Sequence, residues 1–176
     1  MPTQRESRPA RTSGEALAGE CCAPPPVLYD FSMAALSFLS GKVFKSSLPF
    51  ISLPPPAGAP ALKRLALAQG ELVQFHDDEE GARYIAYLEL RAGCVRANHY
   101  HKVKKEWTYV ISGKLLLTLE DVATRERASF GLEAGDLAFI GTGVAHALRT
   151  LEPGGAVEFS QARFDPEDIY PYRLDG

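Results

Sequence analysis

No apolar run in this chain approaches the roughly 18 residues that span a bilayer, so no membrane-crossing helix and no membrane partner are expected. An excess of charge is lacking too. Nineteen Lys and Arg stand against 22 Asp and Glu, for a net charge of −3. Such a balance leaves no electrostatic footprint for nucleic acid. Cysteine is scarce. Cys21, Cys22 and Cys94 are three in number, with an adjacent pair, and do not read as a disulfide framework. The start of the chain lacks the basic-then-apolar pattern of a secretory leader. Its acidic Glu6, Glu15 and Glu20 argue against an organelle transit peptide. A reducing, cytoplasmic location is therefore expected. Cys21-Cys22 has no neighbouring ligand and reads as two thiols in a tail. Cys94 reads as a small buried packing residue.

Residues 1–26 are proline-rich, with a single leucine and no aromatic residue. They bury too little to offset their ordering entropy and are expected to be disordered or loosely held. Residues 27–60 are expected to form an arm. Within it Asp30 is a candidate N-cap for a short helix from Phe31 to Leu39, ended near Gly41. Pro54-Pro55-Pro56 and Pro60 follow as a stiff linker. Met33 is the one methionine after Met1, which makes it a candidate alternative start.

From residue 61 the pattern changes. Glu71–Phe75, Arg83–Leu90, Glu106–Ser112, Lys114–Glu120, Asp136–Ile140, Ala145–Leu151 and Val157–Phe164 are short runs rich in β-branched, aromatic and leucine residues. Turn signals bound them, among them Asp77-Asp78, Ser112-Gly113 and Pro153-Gly154-Gly155. Short strands at this spacing, with no long helix between them, indicate an all-β sandwich or barrel over residues 61–176.

Three of the four histidines cluster in two glycine-bounded stretches. His99 and His101 are two apart and share one face of a strand. Glu106 follows after a polar turn, and His146 lies in the second stretch. Imidazoles with one carboxylate suit a divalent transition metal. The spacing is Gly93, five residues, His99-Tyr100-His101, four residues, Glu106, six residues, Gly113. Every fixed position of the first cupin motif is present. The second stretch runs Gly135, five residues, Gly141-Thr142-Gly143, two residues, His146, three residues, Thr150. It resembles the second cupin motif, with Gly141 in place of proline and Thr150 in place of asparagine.

The resemblance to the cupin superfamily implies a double-stranded β-helix, or jelly roll, with His99, His101, Glu106 and His146 pointing inward. It implies one divalent metal ion, of Fe, Mn, Ni, Zn, Co or Cu. Four protein ligands leave one or two octahedral positions for water, substrate or O2. Alternation from the ligands selects Val95, Ala97, Thr108, Val110, Val144 and Leu148 as pocket-lining candidates. Arg96 is the anion-binding candidate, because a planar fork suits phosphate or carboxylate. Lys102, Lys104 and Lys105 read as a solvated turn or as a positive rim for anionic substrates. Trp107 and Tyr109 face away from the ligands, toward packing partners or a homodimer partner. His76 reads as a surface turn residue.

Three functions remain open. Arg96–His101 and the ending Phe164–Tyr170 resemble cupins of sugar-nucleotide pathways, which implies isomerisation or epimerisation of a small anionic substrate. The ligand set equally suits a metal-dependent dioxygenase or oxidoreductase. A non-catalytic small-ligand binder is the third.

Overall fold

The computed structural model describes residues 35–174. The expectations for the tail 1–26, for Cys21-Cys22, for the helix start at Asp30 and for Met33 lie outside that range. Twelve strands make up the described chain: β1 (Leu36–Phe38), β2 (Val43–Ser47), β3 (Phe50–Ile51), β4 (Lys63–Leu67), β5 (Gly70–Gln74), β6 (Tyr84–Leu90), β7 (Val95–Tyr100), β8 (Glu106–Asp121), β9 (Arg127–Glu133), β10 (Asp136–Ile140), β11 (Val144–Ser160) and β12 (Tyr170–Pro171). No α-helix occurs among the described residues, and none is long and apolar enough to cross a membrane.

Two long antiparallel strands organise the roll. β8 and β11 pair along nearly their whole lengths. The first half of β8 also pairs with β10, and its second half with β9. The first half of β11 pairs with β7, and its second half with β6. Each long strand thus serves both layers of a jelly roll, and the fold class expected from the sequence is the one observed. Ser112-Gly113 and Pro153-Gly154-Gly155 were expected to end strands. They instead bend β8 and β11 at their crossing, where the register shifts. Glycine is required there. A Cβ on Gly113, at φ +84°, would lie 2.6 Å from the Glu152 carbonyl oxygen. One on Gly154 would lie 2.1 Å from that of Ser112. The bend also changes which residues point inward, from the even-numbered Glu106, Thr108 and Val110 to the odd-numbered Leu115, Leu117 and Leu119.

The expected helix Phe31–Leu39 is corrected over its described part. Leu36–Phe38 is a strand, paired with β2, which in turn pairs with β10. The roll's sheet therefore takes in residues N-terminal to position 61. Leu39 and Val43 are buried in the main core, and this burial outweighs the local capping signal. Cys94 is also corrected: it is exposed, in a turn closed by its N–H on the Arg91 carbonyl.

Trp107 and Tyr109 are buried on the outer side of the site-bearing sheet. Phe75, just after β5, stacks on Tyr109 at 4.9 Å, and Trp107 stacks on Phe159 at 5.7 Å. The packing alternative therefore holds for both. His76 joins this aromatic layer, 5.0 Å from Phe159, rather than the ligand cluster.

Candidate metal centre

The four ligand candidates arrive from three strands. His99 lies on β7, His101 one residue past its end, Glu106 opens β8, and His146 is the third residue of β11. Their donor atoms all fall within 4.8 Å of one another. His99 Nε2 is 3.1 Å from His101 Nε2. Glu106 Oε1 is 3.4 Å from His101 Nε2, and its Oε2 is 2.8 Å from His146 Nε2. Donors about 2.1 Å from a metal lie roughly 3.0 Å apart at right angles and roughly 3.4 Å apart at tetrahedral angles. The three separations of 3.1, 3.4 and 2.8 Å match those edges, and with every donor within 4.8 Å of the others the four residues could hold one divalent ion.

The backs of the rings are anchored. His101 Nδ1 donates to the Asp168 carbonyl at 2.6 Å, and His146 Nδ1 to the Val144 carbonyl at 3.1 Å. A carbonyl only accepts, so each Nδ1 carries a proton and each Nε2 faces the centre, where it donates to Glu106 when protonated and is free to bind a metal when not. The Ala97 backbone also hydrogen-bonds His99.

Electrostatics separate the roles. Burial, then repulsion from His146, lowers His99 to about 4, so it is neutral at neutral pH. Burial opposes charge on Glu106, but hydrogen bonds from His101 and His146 and the Lys104 ammonium outweigh it and hold the carboxyl well below its usual range. His146 is raised: burial acts against its charged form, and the Glu106 carboxylate outweighs burial. Such a donor set favours a metal cation, which replaces those protons.

A cavity of about 200 Å³ opens over the cluster. Arg96, Ala97 and Leu148 line it. The other lining candidates are placed elsewhere. Val110 and Val144 are fully buried in the main core, deeper in the roll, and Thr108 is buried without reaching the cavity. Val95 lines a different cavity on the outer face. For Val95 the cause is a bulge. Ala97 and Asn98 take φ of +68° and +58°, and the register slips between His146–His99 and Ala147–Ala97. Simple alternation back from His99 therefore fails, and Arg96, paired with Leu148, takes the cavity face.

Several groups in the cavity escaped sequence reasoning. Lys104 is buried, not part of a solvated turn. Its Nζ donates to Glu106 Oε1 at 2.7 Å and Glu158 Oε1 at 3.0 Å, and lies 4.3 Å from the centre of the Tyr84 ring. Burial lowers the Lys104 ammonium, but the two carboxylates outweigh it and leave it raised. Glu158 is raised by burial and by repulsion from Glu106. It is thus the carboxyl of the pair that takes a proton first. The Asp168 carboxylate accepts from the N–H groups of Lys102, Val103 and Lys104, so it shapes the loop carrying His101 to Glu106. No local signal marks these partners, because Glu158 and Asp168 lie 54 and 64 residues from Lys104.

Comparison with known proteins agrees with this geometry. Residues 86–159 match the Cupin domain family. A 67-residue stretch is 33% identical to the oxalate decarboxylase OxdC of Bacillus subtilis, covering 38% of this chain and 17% of that enzyme. The chain therefore matches about a sixth of that relative's length. The fold resembles that of the rmlC epimerase of Mycobacterium tuberculosis, with a TM-score of 0.61 and 13% identity over 79% of this chain and 72% of that one. It also resembles the TDP-quinovose 3,4-ketoisomerase WlaRB of Campylobacter jejuni, with a TM-score of 0.55 and 15% identity over 62% and 88% of the two chains.

Proposed function

Because residues 86–159 form a cupin domain, we propose that this chain is a metal-dependent enzyme that isomerises or epimerises a small anionic keto substrate by proton transfer. His99, His101, Glu106 and His146 would hold the ion. When bound, it supplies Lewis-acid stabilisation of negative charge on a substrate oxygen. One observation carries the reading: Glu158 and Lys104 line the same cavity as the ligands yet stand outside the ligand set. A base separate from the metal ligands is what proton transfer at this centre requires.

In the reaction, the Glu158 carboxylate takes the proton from the carbon next to the substrate carbonyl. The C–H electron pair moves into the enolate. Lys104 holds Glu158 in place. In isomerisation of an α-hydroxy ketone, Glu158 returns the proton to the former carbonyl carbon while the adjacent hydroxyl passes its proton to the former carbonyl oxygen; in epimerisation, water protonates the opposite face of the enolate and Glu158 releases its proton to solvent. Arg96 meets the substrate's anionic group at the mouth, where a planar fork suits a carboxylate or phosphate. The cavity's 200 Å³ falls below the roughly 300–1,000 Å³ typical of drug-sized ligands. It fits a small acid, or the reacting end of a sugar nucleotide whose remainder stays outside. Similarity to an oxalate decarboxylase is in keeping with a small carboxylate, and similarity of fold to an epimerase and a ketoisomerase with proton transfer.

The test is metal analysis of protein prepared without a His tag, then incubation with small keto acids and keto-sugar nucleotides in deuterated water. Deuterium entering beside the carbonyl, lost in Glu158→Gln, is the expected result. Dioxygen consumption without deuterium incorporation would replace the reading with the oxidoreductase one. Thermal stabilisation by a substrate without turnover would leave a ligand binder.

A further inference from the structure

The reverse side of the metal-bearing ladder holds a second, larger cavity. On β11, His146 and Leu148 face inward while Ala147 and Arg149 face outward. Thr118 of β8, opposite Ala147, shares that outer face, as does Val95 of β7, opposite Arg149. The C-terminal segment crosses above them. The Tyr172 N–H bonds the Asn98 carbonyl at 2.8 Å, and the Leu174 N–H bonds Asn98 Oδ1 at 3.1 Å. Between segment and sheet lies a cavity of about 570 Å³, within the size range of small-molecule sites. A neighbouring one of about 380 Å³ shares Pro171, Tyr172 and Arg173 with it.

The lining is chemically one-sided. Its charged residues are Arg149 and Arg173 in the larger cavity, and Arg125, Arg127 and Arg173 in the smaller. Among the described residues, no lysine, aspartate or glutamate lines either one. Glu120 holds two arginines of the smaller cavity. It accepts from Arg125 Nε at 2.9 Å, Arg127 Nε at 2.7 Å and the Tyr172 hydroxyl at 2.5 Å. Arg125 also bonds the Tyr172 hydroxyl. Glu120 also fixes Arg125 and Arg127 in position, which lowers the entropy cost of their use. Guanidinium forks match phosphate oxygens better than ammonium groups do. Val95, Ala147 and Leu174 supply an apolar wall beside the arginines.

We infer that this outer cavity binds a soluble phosphate-bearing small molecule, its phosphates on the arginines and its apolar part against Val95, Ala147 and Leu174. The site is separate from the metal centre and does not depend on the reaction proposed for it.

Calorimetric titration of the full chain with inorganic pyrophosphate and with ADP tests this. Wild-type protein is expected to bind with Kd below about 1 mM, and more weakly when ionic strength rises from about 0.05 to about 0.5 M. Arg173→Gln, at an exposed position, and Arg149→Gln are each expected to weaken binding at least about tenfold with circular dichroism unchanged. Pyrophosphate also chelates divalent ions, so His146→Ala serves as the control and is expected to bind normally. Absence of binding to wild type up to about 10 mM would overturn the inference. Binding that survives both arginine substitutions but is lost in His146→Ala would overturn it too, by placing the anion on the metal centre.

Discussion

His99 and His146 sit directly opposite each other across the β7–β11 ladder, and the register slips by one residue immediately beside them. The slip is taken up at Ala97 and Asn98, both in the left-handed region. It sets His99 against its partner ligand while turning Arg96 toward the cavity and Val95 away from it.

The bulge carries backbone strain at Ala97, because a non-glycine residue in the left-handed region costs about 1–2 kcal/mol. Ala97→Gly, at φ +68°, is expected to stabilise the protein by about 0.5–1 kcal/mol after the glycine's added unfolded-state entropy. Asn98→Val is expected to destabilise it and to lower metal content. Urea unfolding and metal analysis check both; an Ala97→Gly protein less stable than wild type would contradict the first.

Chelation should lower the melting temperature. A ligand at 100 times its Kd stabilises by about 2.7 kcal/mol, and about 2–4 °C of melting shift accompanies each kcal/mol at this size. Removal of the metal is therefore expected to cost about 5–10 °C. Glu106→Gln and His146→Ala should show no further shift with chelator.

Asp168 holds the loop between two ligands through three backbone N–H groups. Asp168→Ala leaves those donors without their carboxylate and is expected to cost about 2–4 kcal/mol. Burial opposes its charge, the N–H bonds outweigh burial, and the folded-state carboxyl is lowered. Its stabilisation is then present above the unfolded carboxyl range and lost as pH falls through the lowered value. Asp168→Asn should accordingly lose stability at neutral pH and show a flatter acid limb in denaturant titrations.

His99 works in the same direction through a different cause. Burial lowers it to about 4, whereas the unfolded chain keeps an ordinary value near 6.5. Between those values the unfolded state binds more protons, so stability of the metal-free protein rises with pH from about 4 to about 6.5. His99→Gln should reduce that slope in equilibrium unfolding at a series of pH values; an unchanged slope would assign it to other groups.

Glu158→Gln separates chemistry from metal binding. Metal stoichiometry is expected to stay at the wild-type level, because Glu158 is outside the ligand set. Turnover is expected to fall about 10²–10⁴-fold, the usual contribution of a positioned acid–base group. Lys104→Met leaves buried carboxylates without their cation and is expected to cost about 3–5 kcal/mol.

Much of the metal centre was legible because its signal is local. His99 and His101 share a strand face through two-residue periodicity, and Glu106 and His146 stand at fixed spacings from glycines that turn the chain. Strand content was legible for the same reason, since β-branched and aromatic runs report a pleated, half-buried surface. The helix signal at Phe31–Leu39 is local, and the core that buries Leu39 and Val43 overrides it. Val95 is turned away because alternation presumes an unbroken strand and the bulge at Asn98 shifts it, whereas Thr108, Val110 and Val144 are buried below the cavity rather than lining it.

The residue pattern alone determined an all-β roll with three imidazoles and one carboxylate brought to one end. Tertiary structure alone decided what surrounds them: Glu158 and Asp168 reach Lys104 and its loop across more than fifty residues, and the C-terminal segment closes over an outer face lined with arginines. Periodicity encodes which way a side chain points within one strand. Which strand lies beside it, and in what register, is set by the packing of the whole roll.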